Sequence, residues 1–342
     1  MIPSRQRTLR RAVFFEGKSL HSNRFVRMEV APARADHGVL FYRKDIGEHA
    51  TTAHAPAARA ATARATAARA PVKGDALVPA RWDLAPGAPL CTRLCNAAGV
   101  SVGTVEHIMA ALAGCGIYNA LITLDGPEVP ILDGSAKPFV DAIQAGGIRT
   151  LDRPQPVLEI LSPITMHKGS AWATLSPSAA FHIDFRIDFD DPAIGTQRKI
   201  CHMANGCFTK ELADARTFCL SSDIEAMHRA GRALGGSLEN AVVVENGRVK
   251  NPEGLRHPDE PVRHKMLDVV GDMALVGMPI RGHYRGVRAG HTLTRDLLHK
   301  VLRTAGSCRV VPADAKPQST RSHRAASPRR EPPACVALPS LA

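Results

Sequence analysis

The sequence predicts an α+β fold in which sheets and helix pairs form separate layers. Three observations carry that prediction. Short buried strands recur along the chain, apolar helices alternate with them, and the connections are too short for the repeated crossovers of a doubly wound sheet. In chain order, the first helix is expected over Val105–Ala113, with Thr104 as N-cap and Gly114 as stop. Its body, Ile108 to Ala113, is apolar nearly all round, which places it between layers. Residues 120–124 (Ala-Leu-Ile-Thr-Leu) read as a buried strand, and Pro138 to Ile143 opens a helix ending near Gly146-Gly147. Residues 181–189 alternate strictly, as a half-buried strand does, and residues 241–244 (Ala-Val-Val-Val) read as another buried strand. The last helix starts at Pro261, runs to about Val276, and is ended by Gly277 and Pro279. Its apolar stripe is Val262, Met266, Val269, Val270 and Met273, while His264, Asp268, Gly271 and Asp272 fall on another side. A glycine at 271, in mid-helix, points to close approach by a backbone or ligand.

Those helices also carry the chemistry. His264 and Asp268 are four residues apart, one turn on one helical face, and can grip one ion. His107 supplies a third ligand from a remote segment and leaves the fourth position to water, whose pKa such a site lowers from about 15.7 toward roughly 7. Glu106 is then the base for that water. A single His–Asp pair on a helix is usually a surface pair, and a Glu-His dipeptide alone says little. Both lie in apolar, Gly-flanked helices, where unpartnered charge is costly. The set points to metal-assisted hydrolysis.

Longer stretches of the chain resemble the UDP-3-O-acyl-N-acetylglucosamine deacetylase family, zinc amidases of lipid A synthesis. The likeness rests on Thr104-Val105-Glu106-His107 with Ala111-Leu112-Ala113-Gly114, on Pro130 to Ala136, and on Ala215-Arg216-Thr217-Phe218. It continues through Leu234-Gly235-Gly236-Ser237, Val262 to Asp268 with Gly271-Asp272, and Ala289-Gly290-His291. The resemblance implies two similar α+β domains, each a sheet layer plus a helix pair, packed with the helices sandwiched between the sheets. It implies zinc ligands His107, His264 and Asp268, one ion per chain, with ferrous iron as the alternative. Glu106 would be the general base, His291 a cationic partner held by Asp272, and Thr217 an oxyanion donor. Phe218 would line the cleft, Lys265 would meet the diphosphate, and Leu90 and Cys91 would lie near the mouth of an acyl passage. The implied reaction removes the N-acetyl group from an acylated UDP-sugar, giving acetate and a free amine. A generic amidohydrolase is the rival reading; Lys265, Thr217 and the Gly235-Gly236 loop favour the nucleotide-sugar.

The 342 residues suffice for two compact domains, expected at 1–152 and 153–308 with a junction near Asp152-Arg153-Pro154. An Ala/Arg/Thr-rich insertion at 49–76 and a basic tail at 309–342 are expected to be mobile, since neither has an apolar stripe to dock. The net charge of +12 is concentrated outside the expected cores: residues 1–27 carry +6, the insertion +3 and the tail +4. With no aromatic-interleaved basic patch, a nucleic-acid partner is not expected. Weak peripheral contact with anionic lipid fits the charge better. No apolar run reaches 18 residues and none follows the basic start, so the expectation is a cytoplasmic protein, a monomer, working near the inner membrane. The eight cysteines contain no Cys-x-x-Cys and are expected as free thiols. Gly17-Lys18-Ser19 lacks the first glycine of a phosphate loop, with Ala12 in its place. His21 matches a family element near the cleft. His182, His202, His228, His257 and His299 show no ligand spacing and read as structural or exposed.

Overall fold

The computed structural model describes residues 2–47, 74–88, 90–204 and 206–317. The chain begins with β1 (Arg5–Leu9), β2 (Val13–Lys18), β3 (Phe25–Pro32), β4 (Val39–Arg43) and β5 (Leu77–Pro79). A short hairpin, β6 (Leu94–Cys95) and β7 (Ser101–Val102), leads into α1 (Glu106–Gly114), β8 (Ala120–Leu124), α2 (Lys137–Gly146) and β9 (Ile148–Pro154). Then come β10 (Pro156–Ile160), β11 (Ile164–Lys168), β12 (Ala171–Ser176), β13 (Phe181–Asp188) and β14 (Thr196–His202). They are followed by β15 (Phe218–Leu220), α3 (Ser221–Arg229), β16 (Val242–Glu245) and β17 (Arg248–Val249). The last elements are α4 (Glu260–Ala274), β18 (Ile280–Val287), α5 (His291–Arg303) and β19 (Cys308–Pro312).

The α+β layering expected from the sequence holds. One sheet has five strands in the order β2-β3-β8-β4-β5, with only β4 and β8 parallel. A seven-stranded sheet is organised around β18, which runs parallel to β10 and β13 and antiparallel to β12. α1, α2, α4 and α5 lie between these layers, whereas α3 packs on β15 and β16 and buries no residue. α2 packs on β2 and α1, α1 on α4, α4 on β13, β14 and α5, and α5 on β11 and β12. Ile108, Ala110, Ala111 and Leu112 of α1 are fully buried at the centre, as expected of a helix without a polar face. Gly271 explains how closely α1 and α4 meet. A Cβ there would fall 2.8 Å from the Glu106 carbonyl carbon and 2.9 Å from its Cα, and closer still to the carbonyl oxygen.

Several expected boundaries need correction. Thr104 is not the N-cap of α1; Val105 occupies that position, and Thr104 has φ 54° with its hydroxyl donating to Glu128 Oε1 at 2.8 Å. α4 starts one residue before Pro261 and ends at Ala274. Residues 74–76, placed with the insertion, form a 3-10 turn whose Ala76 is in the core; residues 49–73 lie outside the described residues. β9 still pairs with β1 at Pro154, so the change of sheet falls at Gln155, past 152. The tail does not begin at 309. β19 pairs along the whole of β10, because the Cys308 to Pro312 segment completes an otherwise open edge. Residues 318–342 lie outside the described residues.

Candidate metal centre and catalytic site

α1 and α4 bring Glu106, His107, His264 and Asp268 together, each no more than 4% exposed. Asp268 Oδ1 lies 3.4 Å from His264 Nε2 and 3.9 Å from His107 Nε2. The two imidazoles meet edge to face at 5.1 Å, and one donor atom from each of the three residues falls within 4.8 Å of the others. His264 Nδ1 donates to the Ala215 carbonyl at 3.0 Å, which leaves the Nε2 lone pair aimed at Asp268. Asp268 Oδ1 and His107 Nδ1 are buried without a hydrogen-bond partner. Two imidazoles and a carboxylate with a bare buried oxygen fit a divalent cation of the zinc type.

The charge states agree with that fit. Burial, reinforced by His264, pulls His107 down to about 3, and burial likewise lowers His264, so both rings are neutral at pH 7. Burial works against the Asp268 carboxylate, but Lys265 and the surrounding imidazoles hold it below the usual range. Neutral imidazoles and an ionised carboxylate are the forms that bind metal.

His291, the first residue of α5, faces this group. Its Nε2 lies 3.9 Å from Glu106 Oε1 and 3.7 Å from Asp268 Oδ2, and its Nδ1 sits 2.9 Å from Asp272 Oδ2. Burial pulls the imidazole down, but Asp272, Asp268 and Glu106 together outweigh it and push it up to about 9. Glu106 is pushed up to about 8, mainly by burial and further by Asp268 and Asp272, with His291 opposing. Glu106 and His291 are therefore two titratable groups, raised to about 8 and about 9, that face each other from different helices.

Thr92, which nothing in the sequence reading picked out, ties this pair together. Its backbone N–H donates to Glu106 Oε2 at 3.0 Å and its hydroxyl to Asp272 Oδ1 at 2.5 Å. Arg216 was also missed beyond its place in a motif. It is 2% exposed, donates from its backbone N and Nε to Glu260 Oε1 at 2.9 Å, and is paired with Glu253. That anchor fixes the segment whose Ala215 carbonyl orients His264 and whose next residue is Thr217.

The site opens into a cavity of about 1080 Å³. Of the residues expected at the substrate, Thr217, Phe218, Leu90 and Lys265 line it together with Glu106, His107, His264, Asp268 and His291. Thr217 is held by strand-like bonds at both ends, its N–H to Gly134 O and its O from Val242 N, each 2.8 Å. Phe218 stacks edge-on to His264 at 6.3 Å, and Leu90 stands 53% exposed at the opening. Cys91 is not brought to this cavity. It is buried behind it, in a small pocket shared with Asp272 and Trp82, and burial pushes its thiol up to about 12. Lys265 donates to Asp268 Oδ2 at 2.6 Å, so its charge sits among the ligands. His21 also reaches the cavity, with Nδ1 accepting from Ala233 N at 3.2 Å.

Comparison with known proteins returns one consistent family. A family model described as UDP-3-O-acyl N-acetylglycosamine deacetylase matches residues 6–76 and 66–303. The chain is 42% identical over 306 residues to the UDP-3-O-acyl-N-acetylglucosamine deacetylase of Anaeromyxobacter sp. (strain Fw109-5), covering 90% of this chain and 91% of that one. It is 40% identical over 305 residues to the protein of the same name from Phenylobacterium zucineum (strain HLK1), covering 89% and 96%. With the Myxococcus xanthus (strain DK1622) protein of that name the identity is 40% over 308 residues, covering 90% of each.

Proposed function

We propose, from the premise that this chain belongs to the UDP-3-O-acyl-N-acetylglucosamine deacetylase family, that His107, His264 and Asp268 hold one zinc ion and that Glu106 and His291 move the protons. The enzyme hydrolyses the acetamide of UDP-3-O-acyl-N-acetylglucosamine, releasing acetate and the free amine for lipid A synthesis. The observation that carries the residue assignment is the convergence of a three-donor group, a buried carboxylate and a buried imidazolium on one cavity.

Zinc held by His107, His264 and Asp268 would supply Lewis acidity to the acetamide carbonyl and to the attacking water. Glu106, held in place by the Thr92 N–H, takes the proton of the attacking water in its ionised form. Burial disfavours that form, and a cation at the neighbouring donors and the His291 imidazolium would favour it. The His291 imidazolium and the Thr217 hydroxyl face the oxyanion that develops, in a pocket where such charge is worth more than in water. The departing amine needs a proton, and either His291 Nε2 or the newly protonated Glu106, 3.9 Å apart, is placed to give it. Apolar lining from Leu220, Ile224, Met227 and Val243 suits the acyl chain, while Lys168, Lys250 and Arg288 suit the diphosphate. Lys265 Nζ sits on Asp268 Oδ2 at 2.6 Å, which leaves Oδ1 bare and adds a further positive charge to the same cavity. No helix among the described residues is long and apolar enough to cross a membrane. The acylated substrate and the basic charge support work on the cytoplasmic side of the inner membrane, in weak peripheral contact with it.

Two tests follow from the geometry. His264→Ala is expected to give a folded protein that retains little zinc on dialysis and little acetate release; unaltered metal content would sink the ligand assignment. Asp272→Asn tests His291. A histidine raised to about 9 is cationic below that pH and loses its charge as pH rises through it. Removing the neighbouring carboxylate lowers that value, so the basic limb of the kcat profile is expected to move to lower pH. A basic limb that stays in place would show that His291 is not the group it reports.

A further inference from the structure

Three histidines that show no ligand spacing in the sequence meet on the outer face of the seven-stranded sheet. His202 on β14 is directly paired with His182 on β13, and His182 with His283 on β18. Alternation along β13 sends Ile183, Phe185 and Ile187 into the core, so His182 faces the other way, toward solvent. Its ring lies 4.3 Å from that of His202 and 6.0 Å from that of His283, both edge to face. Among the described residues, no hydrogen-bond partner engages any of these ring nitrogens, so all keep their donor capacity. The one carboxylate in the next row, Asp184, is already held by Arg198 at 2.7 and 2.8 Å and faces Arg285 at 3.6 Å.

From this juxtaposition we infer that His182 and His202 form a two-imidazole surface site for a divalent transition cation of the copper, nickel and zinc class, with His283 standing farther off in the same row. All-imidazole donors suit those ions and exclude magnesium and calcium, which require oxygen. Arg198 and Arg285 stand close by, and their charge makes the site weaker than the buried centre and exchangeable. The site shares no residue with the cavity, so its occupancy leaves the basal deacetylase rate unchanged.

The test uses holoenzyme with its catalytic metal in place, titrated with Cu2+ and followed by equilibrium dialysis and electron paramagnetic resonance. The expected result is one further equivalent of Cu2+ showing coupling to imidazole nitrogen. His182→Ala and His202→Ala each remove a direct ligand, which costs at least what losing a ligand's supporting partner does, about 10–100-fold in affinity. Both exposed variants are expected to keep normal acetate release. His283→Ala is expected to weaken binding less. Uptake of no further equivalent by the intact holoenzyme, or its persistence in the His182→Ala/His202→Ala double variant, would overturn the site.

Discussion

Glu106→Gln is expected to lower kcat by about 10²–10⁴-fold, the usual weight of a positioned general base, with metal content unchanged. Glutamine keeps the shape of the side chain and an oxygen that can accept from the Thr92 N–H, 3.0 Å from the carboxylate in the native protein. It cannot take a proton from water. His107, His264 and Asp268 are untouched, so the variant separates proton transfer from metal retention, which His264→Ala cannot do. Steady-state acetate release and metal analysis on one preparation decide the matter. A kcat within a few-fold of the native value would remove Glu106 from the role of base.

Gly271→Ala is expected to damage both stability and catalysis. In an isolated helix alanine is favoured over glycine by about 1 kcal/mol. Here the added methyl meets the backbone of Glu106, with the carbonyl carbon at 2.8 Å and Cα at 2.9 Å, and no flexible side chain can turn aside. Overpacking of a core costs about 1–3 kcal/mol, occasionally more, and a rigid obstacle places this case at the upper end. The strain is relieved only by pushing the start of α1 away from α4, which carries Glu106 and His107 off their positions. A lower Tm together with weaker metal retention is the expected outcome. A raised Tm with metal binding intact would mean that the two helices do not constrain each other at this point.

Elements with a local signature were legible in the sequence. The apolar α1, the alternating β13, and the His264–Asp268 spacing on α4 each need only a short window, and Gly271 announced a close approach that the structure contains. The rest depends on partners distant in the chain. Thr104 looks like a cap because a threonine precedes an apolar helix, but Glu128 claims its hydroxyl. Thr92 has no motif of its own; its meaning comes from Asp272, far along the chain. Arg216 would read as a surface cation until Glu260, at the start of α4, surrounds it. Tail residues 309–312 were misread because composition suggests disorder, whereas the open edge of β10 gives those four residues somewhere to pair. The same limit applies to His182, His202 and His283, whose adjacency is a property of strand register alone.

The placement of the three ligands on two helices far apart in the chain has a thermodynamic side. One donor comes from α1 and two from α4, the helices that meet at Gly271 between the sheets. An ion held there is a rivet through the middle of the molecule, and its binding free energy is also cohesion between the layers. Linkage sets the size of that contribution: at a free ion concentration a thousand times Kd it reaches about 4.1 kcal/mol, comparable to much of a domain's net stability. If the proposed ligands hold the ion, metal supply and heat resistance are one property in this enzyme. A substitution anywhere along the α1–α4 seam that loosens the rivet surfaces as metal hunger before it surfaces as unfolding.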